Sequence, residues 1–176
     1  MPTSKQIQDL LQLANNYPSP HNGQPIRLRV VGGSQFELYF ERSRGLQATD
    51  ISFLFSYVSM GVFTEHLVLS AEALGHRVYI EPNLPQQHSL KGEGPVLFAV
   101  ATIKWAQASV NEALLSTLQT RQTARSKYYE GPDTETAQEI EAIARKEMMD
   151  FVQLNAKQTQ QAIWLNQRAV FDDLLR

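Results

Sequence analysis

The sequence predicts an α+β fold in which a mostly antiparallel sheet is packed with helices around one long central helix. Three observations predict it. Two alternating apolar–polar runs lie either side of Gly32-Gly33-Ser34, residues 52–74 are apolar round most of a helical circumference, and strand-like and helix-like stretches follow one another in blocks.

Taken in order, Thr3 or Ser4 caps a helix running to about Asn16, with Gln6 three residues beyond Thr3 in capping-box spacing. Ile7, Leu10, Leu11 and Ala14 form its apolar stripe, and Pro18 and Pro20 stop it. Ile26, Leu28 and Val30 alternate with Arg27 and Arg29, and Phe36, Leu38 and Phe40 with Glu37 and Tyr39, which reads as a β-hairpin with one wet face. The stretch from Ser52 to Leu74 reads as a helix ended by Gly75 and buried on most sides; Ser52, Ser56, Ser59, Thr64, Glu65 and His66 interrupt any transmembrane span. Strands are expected over Arg77–Glu81 and Val96–Ile103, the second apolar on both faces and therefore central. Helices follow near Ser109–Leu118, Thr134–Met148 and Thr159–Leu175, with a short strand near Phe151–Leu154.

Composition narrows the function. The chain has 176 residues, enough for one domain to bury a sizeable core without a staple. With no cysteine, disulfide scaffolds, thiol nucleophiles and thiolate metal sites are excluded. A balance of 16 Lys+Arg against 18 Asp+Glu offers no basic footprint for nucleic acid or an anionic membrane. The first residues carry no apolar signal segment, so a cytoplasmic protein is expected. His21, His66, His76 and His88 show no metal-ligand spacing, and nothing marks a nucleophile, acid or base.

Two segments carry possible chemistry. In Pro18-Ser19-Pro20-His21-Asn22-Gly23-Gln24-Pro25 the prolines fix φ, Gly23 permits close backbone approach, and Ser19, Asn22 and Gln24 donate and accept hydrogen bonds. The same composition also suits a plain polar turn between helix and strand. Arg121-Gln122-Thr123-Ala124-Arg125-Ser126-Lys127 gathers cations and hydroxyls at the end of a predicted helix. That set suits a phosphate, and equally the complement of a helix C-terminus.

The first segment resembles the PSxxNxQPW signature of the FMN-dependent nitroreductase superfamily. Arg121-Gln122-Thr123-Ala124-Arg125 with Tyr128 resembles that family's RRSxRxF/Y motif, and Ser59-Met60-Gly61 through Leu67, Ala71 and Leu74-Gly75 resembles its central-helix pattern. Ile26 stands where the family usually has Trp. The arginine motif follows the loop motif instead of preceding it, an order similar to that of the Acg-like branch, in which two halves are fused. On that reading residues 1–105 match the later part of one half, residues 106–176 form a helical segment opening the next, and the chain, a single nitroreductase-like domain, is expected to be either a reduced family member or a truncated version of a longer pattern.

The resemblance implies an FMN site. Ser19, Asn22 and Gln24 would lie along the isoalloxazine and ribityl portion, and Arg121, Thr123 and Arg125 would hold the ribityl and phosphate end. It further implies a homodimer whose two motifs meet across the subunit interface, NAD(P)H as electron donor, and a small nitro or quinone-type acceptor. A flavin-binding storage or regulatory protein without turnover, and a flavin-free interaction module, are the alternative expectations.

Overall fold

The computed structural model describes residues 2–46, 49–106, 109–122, 133–149, 154–155 and 157–162. The chain divides into two compact units, Met1–Thr123 and Ala124–Arg176.

In the first unit, helix α1 (Ser4–Ala14) opens on the capping box read from the sequence: Gln6 N donates to the Thr3 hydroxyl at 3.2 Å and Thr3 N donates to Gln6 Oε1 at 2.8 Å. Strands β1 (Ile26–Val30) and β2 (Gln35–Glu41) form the expected hairpin, with Ile26 opposite Phe40 and Val30 opposite Phe36. The two-residue period sends Phe36, Leu38 and Phe40 into the core and leaves Glu37 and Tyr39 on the other face. Strands β3 (Arg77–Pro82) and β4 (Pro95–Lys104) complete a four-stranded sheet of order β1-β2-β4-β3, antiparallel at every pairing. β4 is central, as its two-faced apolar run predicts.

Helix α2 (Leu54–Ala73) lies over this sheet, with Met60, Phe63, Leu67 and Ala71 in one core with Phe36, Leu38, Phe98 and Ala101. Burying a side chain such as Phe63 or Leu67 contributes about 2 kcal/mol. α2 is long and apolar enough to cross a membrane by length and composition alone, and its Met60, Phe63, Leu67 and Ala71 lie in the core. Burial on most sides does not extend to its N-terminal half. Leu54, Phe55 and Val58 are 59%, 46% and 46% exposed, as is Ile51 (83%) in the turn before the helix, while the small Ser56, Ser59 and Ser70 face inward.

The start of α2 is fixed by a buried carboxylate. Asp50 Oδ1 accepts from Phe55 N at 2.9 Å, and Oδ2 accepts from Ser56 N and Ser56 Oγ, both at 2.7 Å. Phe53, between them, is held in the left-handed region at φ 57°. Helix α3 (Glu112–Thr120) begins later than Ser109 because Asn111 caps it, accepting from Leu114 N at 3.2 Å. It closes a smaller cluster of Leu13, Ala73 and Leu118.

The Pro/Gln/Gly-rich connection after β3 contains a single helical turn, Gln87–Leu90, whose Leu90 is buried. One side chain gathers it: the Arg42 guanidinium donates to the carbonyls of Gly94 (2.9 Å), Ser89 (3.1 Å), Lys91 (2.9 Å) and Glu93.

In the second unit, helix α4 (Thr134–Lys146) is capped by Asp133, whose carboxylate accepts from Thr136 N at 2.7 Å. Residues 157–162 are helical, and the remainder of the expected 159–175 helix lies outside the described residues. Of the strand expected near 151–154, only Leu154 is described, and it is not in a strand.

Candidate functional site

The loop from Pro18 to Pro25 connects α1 to β1. His21, Asn22 and Gln24 all adopt left-handed backbone angles, φ 51°, 56° and 44°. Non-glycine residues there cost of order 1 kcal/mol each and persist where their surroundings hold them. Here the hold is visible. Ser19 Oγ accepts the backbone N–H of Gln24 at 3.0 Å, and Gly23 N donates to Pro20 O at 3.0 Å. Downstream, Glu41 N donates to Pro25 O at 2.7 Å, fastening the loop to β2.

Gly23 itself has an ordinary φ of −64°. It is required for space: a Cβ there would meet the Arg44 carbonyl at 3.0 Å. Gly23→Ala is therefore expected to lower unfolding free energy by about 1–2 kcal/mol through steric displacement alone. Urea unfolding of the variant beside the parent checks this, and an unchanged midpoint would contradict the close approach.

Beneath the loop, Tyr17 is buried and packs edge-to-face on Phe63, with ring centroids 5.0 Å apart. Burial pushes its phenol above the usual range, against the opposing influence of the Ile26 backbone and the Ser59 and Ser19 hydroxyls. None of these reaches hydrogen-bond geometry, so the Tyr17 hydroxyl and Ser59 Oγ are buried without a partner.

Of the arginine segment, Arg121 is described, and Thr123 and Arg125 lie outside the described residues. Arg121 Nε donates to the Asn16 carbonyl at 3.0 Å, and Asn16 Nδ2 donates to Leu118 O at 2.8 Å. The end of α3 is thus bolted to the end of α1, three residues before Ser19. Sequence reasoning placed the two motifs together only across a subunit interface; within one chain Arg121 already reaches the approach to the loop. Asn22 is exposed, whereas Ser19, Gln24 and Arg121 are half-buried.

His66, on the α2 face beneath this junction, is 6% exposed, and its Nε2 meets no partner. Burial first, and the Arg121 guanidinium second, hold its imidazole below the ordinary range, against a Leu13 backbone contact that favours the charged form. The fold therefore keeps His66 neutral, while the unfolded chain takes up a proton near the usual value of 6.5. Stability is then complete above about pH 6.5 and falls on acidification until the folded imidazole protonates in turn. Denaturant unfolding at about pH 7.5 and about pH 5.5 should show this loss, and His66→Gln should reduce it.

Sequence reasoning missed Asp50, Arg42, Tyr17 and the Asn16 link. Asp50 is a single acid in a polar loop, and nothing in its spacing distinguishes a buried cap from a solvated side chain.

No family model and no curated protein matches the chain. Solved structures similar to it include a candidate NADH oxidase from Clostridium acetobutylicum, 16% identical, with a TM-score of 0.49 over 74% of this chain and 90% of that one. A candidate nitroreductase in complex with FMN from Desulfovibrio desulfuricans is 13% identical, with a TM-score of 0.47 over 74% and 86%. NfrA2 from B. megaterium is 14% identical, with a TM-score of 0.47 over 93% and 83%. The α+β architecture rests on the strands and helices described above.

Proposed function

We propose that the chain is an FMN-binding, cytoplasmic oxidoreductase that passes electrons from NAD(P)H to a small nitro or quinone-type acceptor. The observation that carries the reading is the pinned Ser19–Gln24 loop, strained at three non-glycine residues, with Arg121 fastened beside its entry. Strain of this kind clusters where a ligand needs preset groups. The donor set suits the cofactor. Ser19, Asn22 and Gln24 offer neutral donors and acceptors for a ring edge and ribityl chain, and Arg121, continued in sequence by Thr123 and Arg125, offers charge-assisted bonds for the phosphate. Motif order favours the Acg-like branch.

When bound, FMN supplies the hydride chemistry. The protein residues bind and orient it, and no side chain is assigned as acid or base. The visible spectrum of protein purified without added flavin tests the reading. A yellow protein bleached by NADPH or NADH and recoloured by a quinone supports it. Bleaching by dithionite but by neither nucleotide favours flavin storage, and a colourless protein that ignores added FMN overturns both.

A homodimer belongs to the same proposal. Leu54, Phe55 and Val58, exposed apolar side chains of the first turns of α2, form the face that a symmetric partner would cover. Phe55→Glu would set two carboxylates in such an interface, so sedimentation equilibrium should show dimeric parent and monomeric variant. A parent that is monomeric at micromolar concentration would contradict it.

A further inference from the structure

A cleft of about 630 Å³ lies between the C-terminal half of α1, the end of α3 and the residue preceding Pro25. Its volume falls within the range of small-molecule sites. Its floor is Leu13, Leu74 and Leu115, side chains of the smaller apolar cluster. Its walls carry five carboxamides, Gln12, Asn15, Asn16, Gln24 and Gln119, and one carboxylate, Asp9, which pairs with Lys5 at 2.9 Å. Three separate segments bring these amides together, so the grouping is not a property of one helix face.

The lining selects a ligand by elimination. Among the described residues that line it there is no cation, and the Arg121 guanidinium meets it through Nε on the Asn16 carbonyl. The carbonyl end of α1 adds partial negative charge, so within the cleft a neutral ligand is favoured over an anion. Among the described residues no aromatic side chain lines it to stack a heterocycle. What remains complementary is a molecule whose polar groups both donate and accept, as a carboxamide does, and whose C–H face can rest on leucine. Hydroxyl groups meet that description in any orientation. We propose that this cleft binds a neutral polyhydroxylated ligand, a sugar or polyol. The proposal goes beyond the flavin reading and shares only Gln24 with it.

Saturation-transfer NMR on the full chain tests it, with D-ribose and ribitol as neutral probes and D-ribose 5-phosphate as the charged one. Both neutral probes should bind in the millimolar range, and Gln119→Leu and Gln12→Leu should each weaken them about five-fold, the equivalent of one lost hydrogen bond. Ribose 5-phosphate should bind more weakly than ribose, and Asp9→Asn should narrow the difference. The wall residues Gln12 and Gln119 are exposed, so the variants should retain the parent's melting temperature. Silence from both neutral probes, unchanged binding in both leucine variants, or tighter binding of the phosphate would each overturn the proposal. FMN titration of Gln119→Leu separates the two readings. Parental affinity supports a distinct polyol cleft, whereas a parallel loss of FMN and ribitol would make the cleft part of the flavin site and overturn its independence.

Discussion

Asp50→Ala should lower the unfolding free energy by about 3 kcal/mol, the largest single-residue effect expected outside the aromatic core. Three hydrogen bonds end on this carboxylate, from Phe55 N, Ser56 N and Ser56 Oγ, at 2.9, 2.7 and 2.7 Å. It is 3% exposed, so water cannot replace it without opening the start of α2. Alanine leaves two first-turn N–H groups and one hydroxyl unpaired in a dry site, and unpaired buried groups cost more than the bonds contribute. Asn keeps one acceptor oxygen and should fall between alanine and the parent. Thermal and urea unfolding read the series, with a drop on the order of 10 °C expected for alanine. A shift of only one or two degrees would show that the helix start holds without the carboxylate.

On the proposed flavin site, Arg121→Ala should weaken FMN binding by roughly ten- to a hundredfold, the effect of losing one charge-assisted contact with a phosphate. The substitution also breaks the Nε bond to Asn16 O, so loss of packing must be separated from loss of charge. Arg121→Lys, which keeps the charge without the guanidinium fork, serves that purpose. Recovery of part of the affinity by lysine, with alanine melting near the parent, supports an electrostatic role at the cofactor. Fluorescence titration of the three proteins decides it. Equal affinity in all three would remove Arg121 from the phosphate site.

The hairpin, the capped first helix and the central β4 strand were all legible in the sequence because each rests on local periodicity or local capping chemistry. The orientation of α2 was not. Its apolar residues run round the helix, so hydropathy assigns no inner face. The sheet decides instead, seating Ser59 and Ser70 inward and leaving Phe55 and Val58 outside. The loop at residues 18–25 was legible as a turn with hydrogen-bonding side chains, but its conformation was not. Gly23 serves the close backbone approach expected of it, at the Arg44 carbonyl, whereas the left-handed residues are His21, Asn22 and Gln24, held there by Ser19 Oγ and Glu41 N. The Arg121–Asn16 bond joins positions far apart in the chain, and no local pattern encodes such a pair.

The strand order β1-β2-β4-β3 also bears on how the chain is made. As synthesis proceeds, β1 and β2 can pair as soon as they emerge, but the second edge of β2 stays open until residues 95–104 follow. Throughout that interval Phe36, Leu38 and Phe40 lack the strand that completes their side of the sheet, and α2 has been released with only part of its cover. An open β edge beside unburied phenylalanines is a template for pairing with another nascent chain. A nascent chain whose residues 95–104 have not yet emerged therefore carries that open edge, and β4, the strand that pairs with both β2 and β3, is the segment that closes it.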